Sequence, residues 1–172
     1  MREAIHELTL KGILHRKQGS GTVLAQSSGI AYSLFGEMTR ETRTAAEVSD
    51  FRSTFEPHIA SLAAERRTDS DLIMLEKLCP KDISDYSLEQ SLELDERFHE
   101  SVASATQNQL IVTLAQASGS WVSEFRRASH ATPEGRQQSH DDHRAILVAI
   151  ATSDAELARR LMRTHIKTVA LL

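Results

Sequence analysis

Residues 88–108 read LEQSLELDERFHESVASATQN. Leu88, Leu92, Asp95, His99 and Val102 recur at spacings of 4, 3, 4 and 3, which is one face of an α-helix. The stretch has no glycine and no proline, and an asparagine, Asn108, closes it. The spacing therefore predicts a helix over about 86–106, with Asp95 and His99 in the middle of a stripe that ought to be buried. Buried carboxylates and imidazoles cost free energy unless they find partners. Those partners must come from other parts of the chain.

Working outward, further helices are predicted over about 44–67, 69–79, 109–129, 137–152 and from 155 to the C-terminus. No glycine occurs between Glu37 and Ser118, and this span is rich in Ala, Leu, Glu and Arg. Pro57 falls inside the first helix and should kink it. Asp69 or Ser70 reads as the N-cap of the second, and Asn108 as that of the fourth. Residues 131–135 read as a loop, and Ser118-Gly119-Ser120 as a bend. Ser153 and Asp154 should cap the sixth helix. The expected fold class is an all-α antiparallel bundle of about six helices.

The first residues differ from this body. Five of the seven glycines lie in the first 36 residues, and residues 1–25 carry a net charge of +2 against −6 for the remainder. Residues 1–11 read as a helix that Gly12 stops. Two short β-prone runs flank the turn Gln18-Gly19-Ser20-Gly21, which predicts a hairpin. Three parts follow: a basic head over 1–25, a linker over 26–36 and an acidic helical domain over 37–172.

The chain has 172 residues, 40% of them hydrophobic and 26% charged, which excludes disordered and collagen-like classes. No apolar run approaches the ~18 residues of a membrane span, and no secretory signal pattern is visible. A single cysteine, Cys79, fits a reducing cytoplasm and provides no cysteine-based metal site.

Two more helices point imidazoles inward. His143 shares a face with Ile146, Leu147 and Ile150, and His165 shares one with Leu161 and Met162. Arg52, between Val48 and Phe55, is inward on the first helix. His6, His15, His58, His130 and His140 read as surface residues or caps. Two readings fit the inward set from pattern alone. Each residue can be a locally hydrogen-bonded core residue, or Asp95, His99, His143 and His165 can share one divalent cation. One carboxylate and three neutral imidazoles suit Zn²⁺, Ni²⁺, Mn²⁺ or Fe²⁺.

At these residues the chain resembles a known family. DERFHESVASATQN is similar to the D-x-x-F-H core motif of the ligand-binding domain in FadR-type regulators of the GntR family, the FCD domain. HRAILVAIATSDAELARRLMRTHI resembles the closing motif of that domain, and FRSTFEPHIASLAAERR its first long helix. MREAIHELTLKGIL resembles the recognition helix of the family's winged helix-turn-helix, and HRKQGSGTVLA its hairpin wing. The pieces follow the family order along nearly the whole chain.

The resemblance implies a metabolite-responsive, DNA-binding transcription regulator rather than an enzyme. In the metal-binding branch of the family the ligands match Asp95, His99, His143 and His165. The family's first-helix arginine, near a bound carboxylate effector, matches Arg52. DNA contacts map to Arg2, Lys17, Gln18, Gly19, Ser20 and Gly21. The implied partners are DNA, a small organic acid and a second copy of the chain, with no membrane. The chain begins inside the third helix of the winged helix, so DNA binding is expected of a protein carrying the two preceding helices. The rival from another class is a metal-dependent hydrolase built on a helical bundle, with an open metal position activating water. Glu56 is the nearest residue to a general base there, and it also stands where it can pair with Arg52. A third reading is a purely structural metal.

Overall fold

Capping boxes start three of the helices. Thr44, Thr68 and Ser87 each accept a hydrogen bond from the backbone N–H three residues on, and the side-chain oxygens of Glu47, Asp71 and Gln90 accept one from the cap's own N–H. In a computed structural model, which describes residues 14–17, 21–24 and 44–169, these caps open α1 (Ala45–Arg66), α2 (Asp69–Leu78) and α3 (Leu88–Ser104). Asn108 caps α4 (Gln109–Ser129) and Thr132 caps α5 (Pro133–Ala151). Asp154 accepts from the Leu157 N–H at the start of α6 (Ala155–Val169). The six helices among the described residues bear out the predicted all-α bundle.

Several local expectations are corrected. Thr68, not Asp69 or Ser70, is the cap of α2, because its hydroxyl faces the Asp71 N–H. The expected 131–135 loop shrinks, and α5 starts four residues early. Proline is well placed at a first helical position, where its missing N–H has no partner to lose. Pro57 is buried within α1, and the helix runs through it. α4 is continuous across Ser118, Gly119 and Ser120.

The core lies among α1, α3, α5 and α6. It is built from Ala60, Ala63 and Ala64 of α1, Phe98 and Val102 of α3, Ile146 and Ile150 of α5, and Ala158, Met162 and Ile166 of α6. α1 packs most extensively on α6, α5 also packs on α6, and α3 lies against α4 and α2. The alanines of α1 and Ala158 leave no bulk between the first and last helices, which lets their backbones come close. Arg67 ties the end of α1 to α5, donating to the Ala151 carbonyl at 2.7 Å and the Ile150 carbonyl at 3.3 Å. Those carbonyls end a helix and have no intrahelical partner.

The chain divides into two compact units between Arg43 and Thr44. In the first unit, β1 (Leu14–Lys17) and β2 (Gly21–Leu24) pair antiparallel, Leu14 opposite Leu24 and Lys17 opposite Gly21. This pairing stands where the hairpin wing was expected. The expected helix over 1–11, Arg2, the turn residues Gln18, Gly19 and Ser20, and the linker over 26–36 lie outside the described residues.

Candidate metal centre and acid cavity

Asp95 is the hub of the helical unit's polar interior. It is 3% exposed, on α3 one turn before His99. Ser139 donates to its Oδ1 at 3.2 Å. The same oxygen lies 3.5 Å from His143 Nε2, 3.7 Å from His130 Nε2 and 4.0 Å from His99 Nε2. Its other oxygen, Oδ2, lies 2.8 Å from Arg126 Nε. Burial pushes the carboxyl's pKa up, but His99, Arg126, His143 and His130 together hold it well below the usual carboxylate range. Asp95 is thus a buried anion at neutral pH.

The four residues selected by helix face come together. One ligand atom each from Asp95, His99, His143 and His165 lie within 4.8 Å of one another, and all four residues are buried. Ligand atoms on a metal with bonds of about 2.0–2.2 Å stand roughly 3–4.4 Å apart, so the cluster needs to tighten by only a few tenths of an ångström. His143 stacks on Phe98, ring centroids 4.1 Å apart and planes at 14°. The imidazole centroids are 5.1 Å apart for His99 and His143, 5.4 Å for His99 and His165, and 4.7 Å for His143 and His165.

Outer partners orient two of the rings. His165 Nδ1 is hydrogen-bonded to Asp142 Oδ2 at 3.2 Å, and His99 Nδ1 lies 2.9 Å from Glu56 Oε2. A proton held on Nδ1 by a carboxylate leaves Nε2 with its lone pair, the usual arrangement behind a metal-ligating histidine. The Nε2 atoms of His99, His143 and His165 are buried without a hydrogen-bond partner. Burial lowers the pKa of His143 to well below its ordinary value, and proximity to His165 adds to this. Burial also lowers that of His99, against the pull of Glu56 and Asp95. A buried carboxylate gathered with three buried imidazoles whose Nε2 atoms lack partners fits a divalent cation of borderline softness.

Arg52 is inward, as expected, and fully buried. Its Nε is paired with Glu56 Oε1 at 2.7 Å. Burial pushes the Glu56 carboxyl up, but Arg52 and His99 outweigh this and hold it far below its ordinary range. Arg52, Glu56 and His99 therefore form a chain from α1 to the cluster.

Three residues of the interior were not expected there. His130 is 2% exposed and His140 5% exposed, so neither is a surface residue. His130 is the residue after α4, and its Nδ1 bonds the Arg126 carbonyl at 2.9 Å, which draws the ring inward. His140 Nε2 bonds the Pro80 carbonyl at 2.7 Å. Arg126, 8% exposed, is the third.

A cavity of about 40 Å³ adjoins the cluster. His99, Glu56 and Arg126 are among its polar lining, and Phe51, Phe55, Ile59, Val102, Leu114 and Val122 supply apolar wall. Arg52 is not among the lining residues. Glu96 and Glu100 also line it.

The FCD domain family matches residues 47–168, the span that holds every residue of the cluster. The chain is 28% identical over 180 aligned positions to the HTH-type transcriptional regulator LutR of Bacillus subtilis, covering 98% of this chain and 81% of the relative. It is 25% identical to the Glc operon transcriptional activator of Escherichia coli, covering 98% of this chain and 71% of the relative. Among solved structures it is similar to Streptococcus agalactiae GntR, with a TM-score of 0.70 and 28% identity, covering 99% of this chain and 80% of that one. These relatives are regulators rather than enzymes, which removes the hydrolase alternative. The chain belongs to the FCD-domain family, among transcription regulators of the GntR type.

Proposed function

We propose that the chain is part of a cytoplasmic transcription regulator whose helical unit binds a divalent metal and, beside it, a small organic acid. Asp95, His99, His143 and His165 hold the metal, which is Zn²⁺, Ni²⁺, Mn²⁺ or Fe²⁺. The observation that carries this reading is the convergence of three unpartnered Nε2 atoms and one buried carboxylate on a common centre. Leaving these groups unsatisfied costs about 1–3 kcal/mol each, and a cation removes that cost. Four protein ligands leave about two positions of a six-coordinate metal for water or an acid's oxygens. A purely structural metal is disfavoured by the cavity that opens at His99.

The acid biases the geometry of two DNA-binding heads in a homodimer, as a ligand that binds one arrangement better than another must. In the head, Arg2 contacts bases, and Lys17 with the turn Gln18, Gly19, Ser20 and Gly21 contacts phosphate. The test titrates zinc into chelator-treated protein and follows melting temperature, then measures release of operator DNA by acid from a protein carrying the whole winged helix. Zinc should raise the melting temperature, and acid should shift DNA affinity only in the metal-loaded protein. A melting temperature indifferent to both zinc and chelator would sink the metal site. Sedimentation should find a dimer at micromolar concentration.

A further inference from the structure

His130, the residue after α4, turns a fourth imidazole toward Asp95. Its Nδ1 lies 2.9 Å from the Arg126 carbonyl oxygen and 3.0 Å from Ser129 Oγ. A carbonyl oxygen only accepts, and the Ser129 hydroxyl donates its own hydrogen to that same carbonyl. Nδ1 therefore carries the ring's proton, and Nε2 of the neutral ring keeps its lone pair. That Nε2 lies 3.7 Å from Asp95 Oδ1. Two buried acceptors this close repel each other unless a cation or a donor stands between them. The separation falls between those of His143 Nε2, 3.5 Å, and His99 Nε2, 4.0 Å, from the same oxygen. It also falls within the roughly 3–4.4 Å that separates two ligand atoms on one metal. His140, the other unexpected imidazole, differs, because its Nε2 is spent on the Pro80 carbonyl.

We propose that His130 is a fifth protein ligand of the metal, binding through Nε2 beside Asp95, so that the site in this chain is one carboxylate and four imidazoles. The assignment rests on the metal reading above and changes its ligand count. Each of three rings has an outer partner that holds its proton on Nδ1. Glu56 serves His99 and Asp142 serves His165, and for His130 the Arg126 carbonyl does the same work. Arg126 then orients two ligands at once. Its carbonyl sets the His130 ring, and its Nε, 2.8 Å from Asp95 Oδ2, leaves Oδ1 for the metal. A cavity of about 10 Å³ is lined by Asp95, His130 and His143, so the His130 ring has space to shift without displacing packed atoms. The metal thereby fastens the turn between α4 and α5 to α3. Five protein ligands leave one position of a six-coordinate ion, open to a single oxygen of water or an acid. Four imidazoles also favour Zn²⁺ or Ni²⁺ over Mn²⁺, which suits oxygen ligands better.

Nitrogen NMR of histidine-labelled protein tests this, because it distinguishes protonated, bare and metal-bound ring nitrogens. Chelator-treated wild type should show His130 protonated on Nδ1. Zinc should then shift the Nε2 signals of four rings, those of His99, His130, His143 and His165. His130→Asn identifies the fourth signal by removing it. Asparagine keeps an N–H donor where Nδ1 stands, and so keeps the bond to the Arg126 carbonyl, but it has no atom in the place of Nε2. The metal-free variant should therefore melt close to metal-free wild type, while its zinc affinity, read by chelator competition, should fall by more than about tenfold. Three shifted rings in zinc-loaded wild type, with His130 unmoved, overturn the proposal and leave the metal reading standing. That wild-type count decides the matter even if His130→Asn fails to fold. Unchanged zinc affinity in a folded His130→Asn overturns it equally. If zinc shifts no ring in wild type, the metal reading itself fails and the fifth ligand fails with it.

Discussion

His143 stacks on Phe98 and brings Nε2 to 3.5 Å from Asp95 Oδ1, so its loss removes a ligand and part of the core together. His143→Ala should weaken zinc by more than about 100-fold and lower the melting temperature of the zinc-loaded protein. Glu56→Gln probes the outer layer. It keeps the shape but removes the charge that faces both His99 and Arg52, and zinc affinity should drop by about 10–100-fold. Competition with a colorimetric chelator reads both, and unchanged affinity in Glu56→Gln would mean that His99 needs no carboxylate behind it. The ligand residues were legible in the sequence because each sits on the apolar stripe of a long helix. Arg126 carries a weaker signal, since the face it shares with Ser118 and Val122 is too polar to mark it as inward. His140 lies three before His143 and could have been found likewise. His130 could not, because it follows the end of α4 and its inward turn depends on the Arg126 carbonyl.

The turn between α4 and α5 sets the spacing of Arg126 and His130 against Ser139 and His143. Gly135 stands where an added Cβ would lie 2.1 Å from the Ser129 carbonyl oxygen, and that backbone cannot swing aside as a side chain can. Gly135→Ala should cost about 1–3 kcal/mol by overpacking, read from urea melts, and should weaken zinc as well by moving α5 off its seat. Retained stability would mean that the turn relaxes freely. The start of α5 carries an ambiguous signal. Proline and glycine so close together resemble a loop, but Thr132 and Pro133 are a cap and a first helical residue. The end of α5 is a local arrangement that the sequence only half disclosed. Ser153 takes φ 57°, and the N–H groups of Ser153 and Asp154 return to the Ile150 and Ala149 carbonyls.

At the scale of the molecule, buried histidines and carboxylates act in the same direction as pH falls. His99 and His143 titrate below their ordinary 6.5 when folded, so the unfolded chain takes up their protons first. Metal-free protein should therefore lose stability as pH drops below about 6.5. Asp95 and Glu56, whose folded pKa values are depressed, extend the loss below about 4, as the unfolded carboxylates protonate first. Thermal melts of chelator-treated protein across this range check the sign, and a stability maximum at acid pH would contradict it. For the head, in a protein with the whole winged helix, Arg2→Ala should cost about 1–3 kcal/mol of specific DNA binding and relax one base position. Lys17→Ala should instead weaken all sequences and reduce the salt slope by about one. Unchanged binding in Arg2→Ala would remove that segment from the DNA contact. The bundle itself was legible because long periodic helices dominate it, whereas the close seating of α1 on α6 depends on alanines that carry no periodic signal of their own. The three unpartnered imidazole nitrogens have a consequence beyond affinity. Nitrogen-rich sites rank divalent ions by intrinsic affinity, with copper above nickel and zinc, and manganese and iron below them. On the proposed reading the occupant is then whatever the cell leaves available. The regulator becomes a gate with two keys, an acid from metabolism and an ion from the metal economy, and starving a culture of its preferred ion should silence the acid response without any change in DNA sequence or protein level.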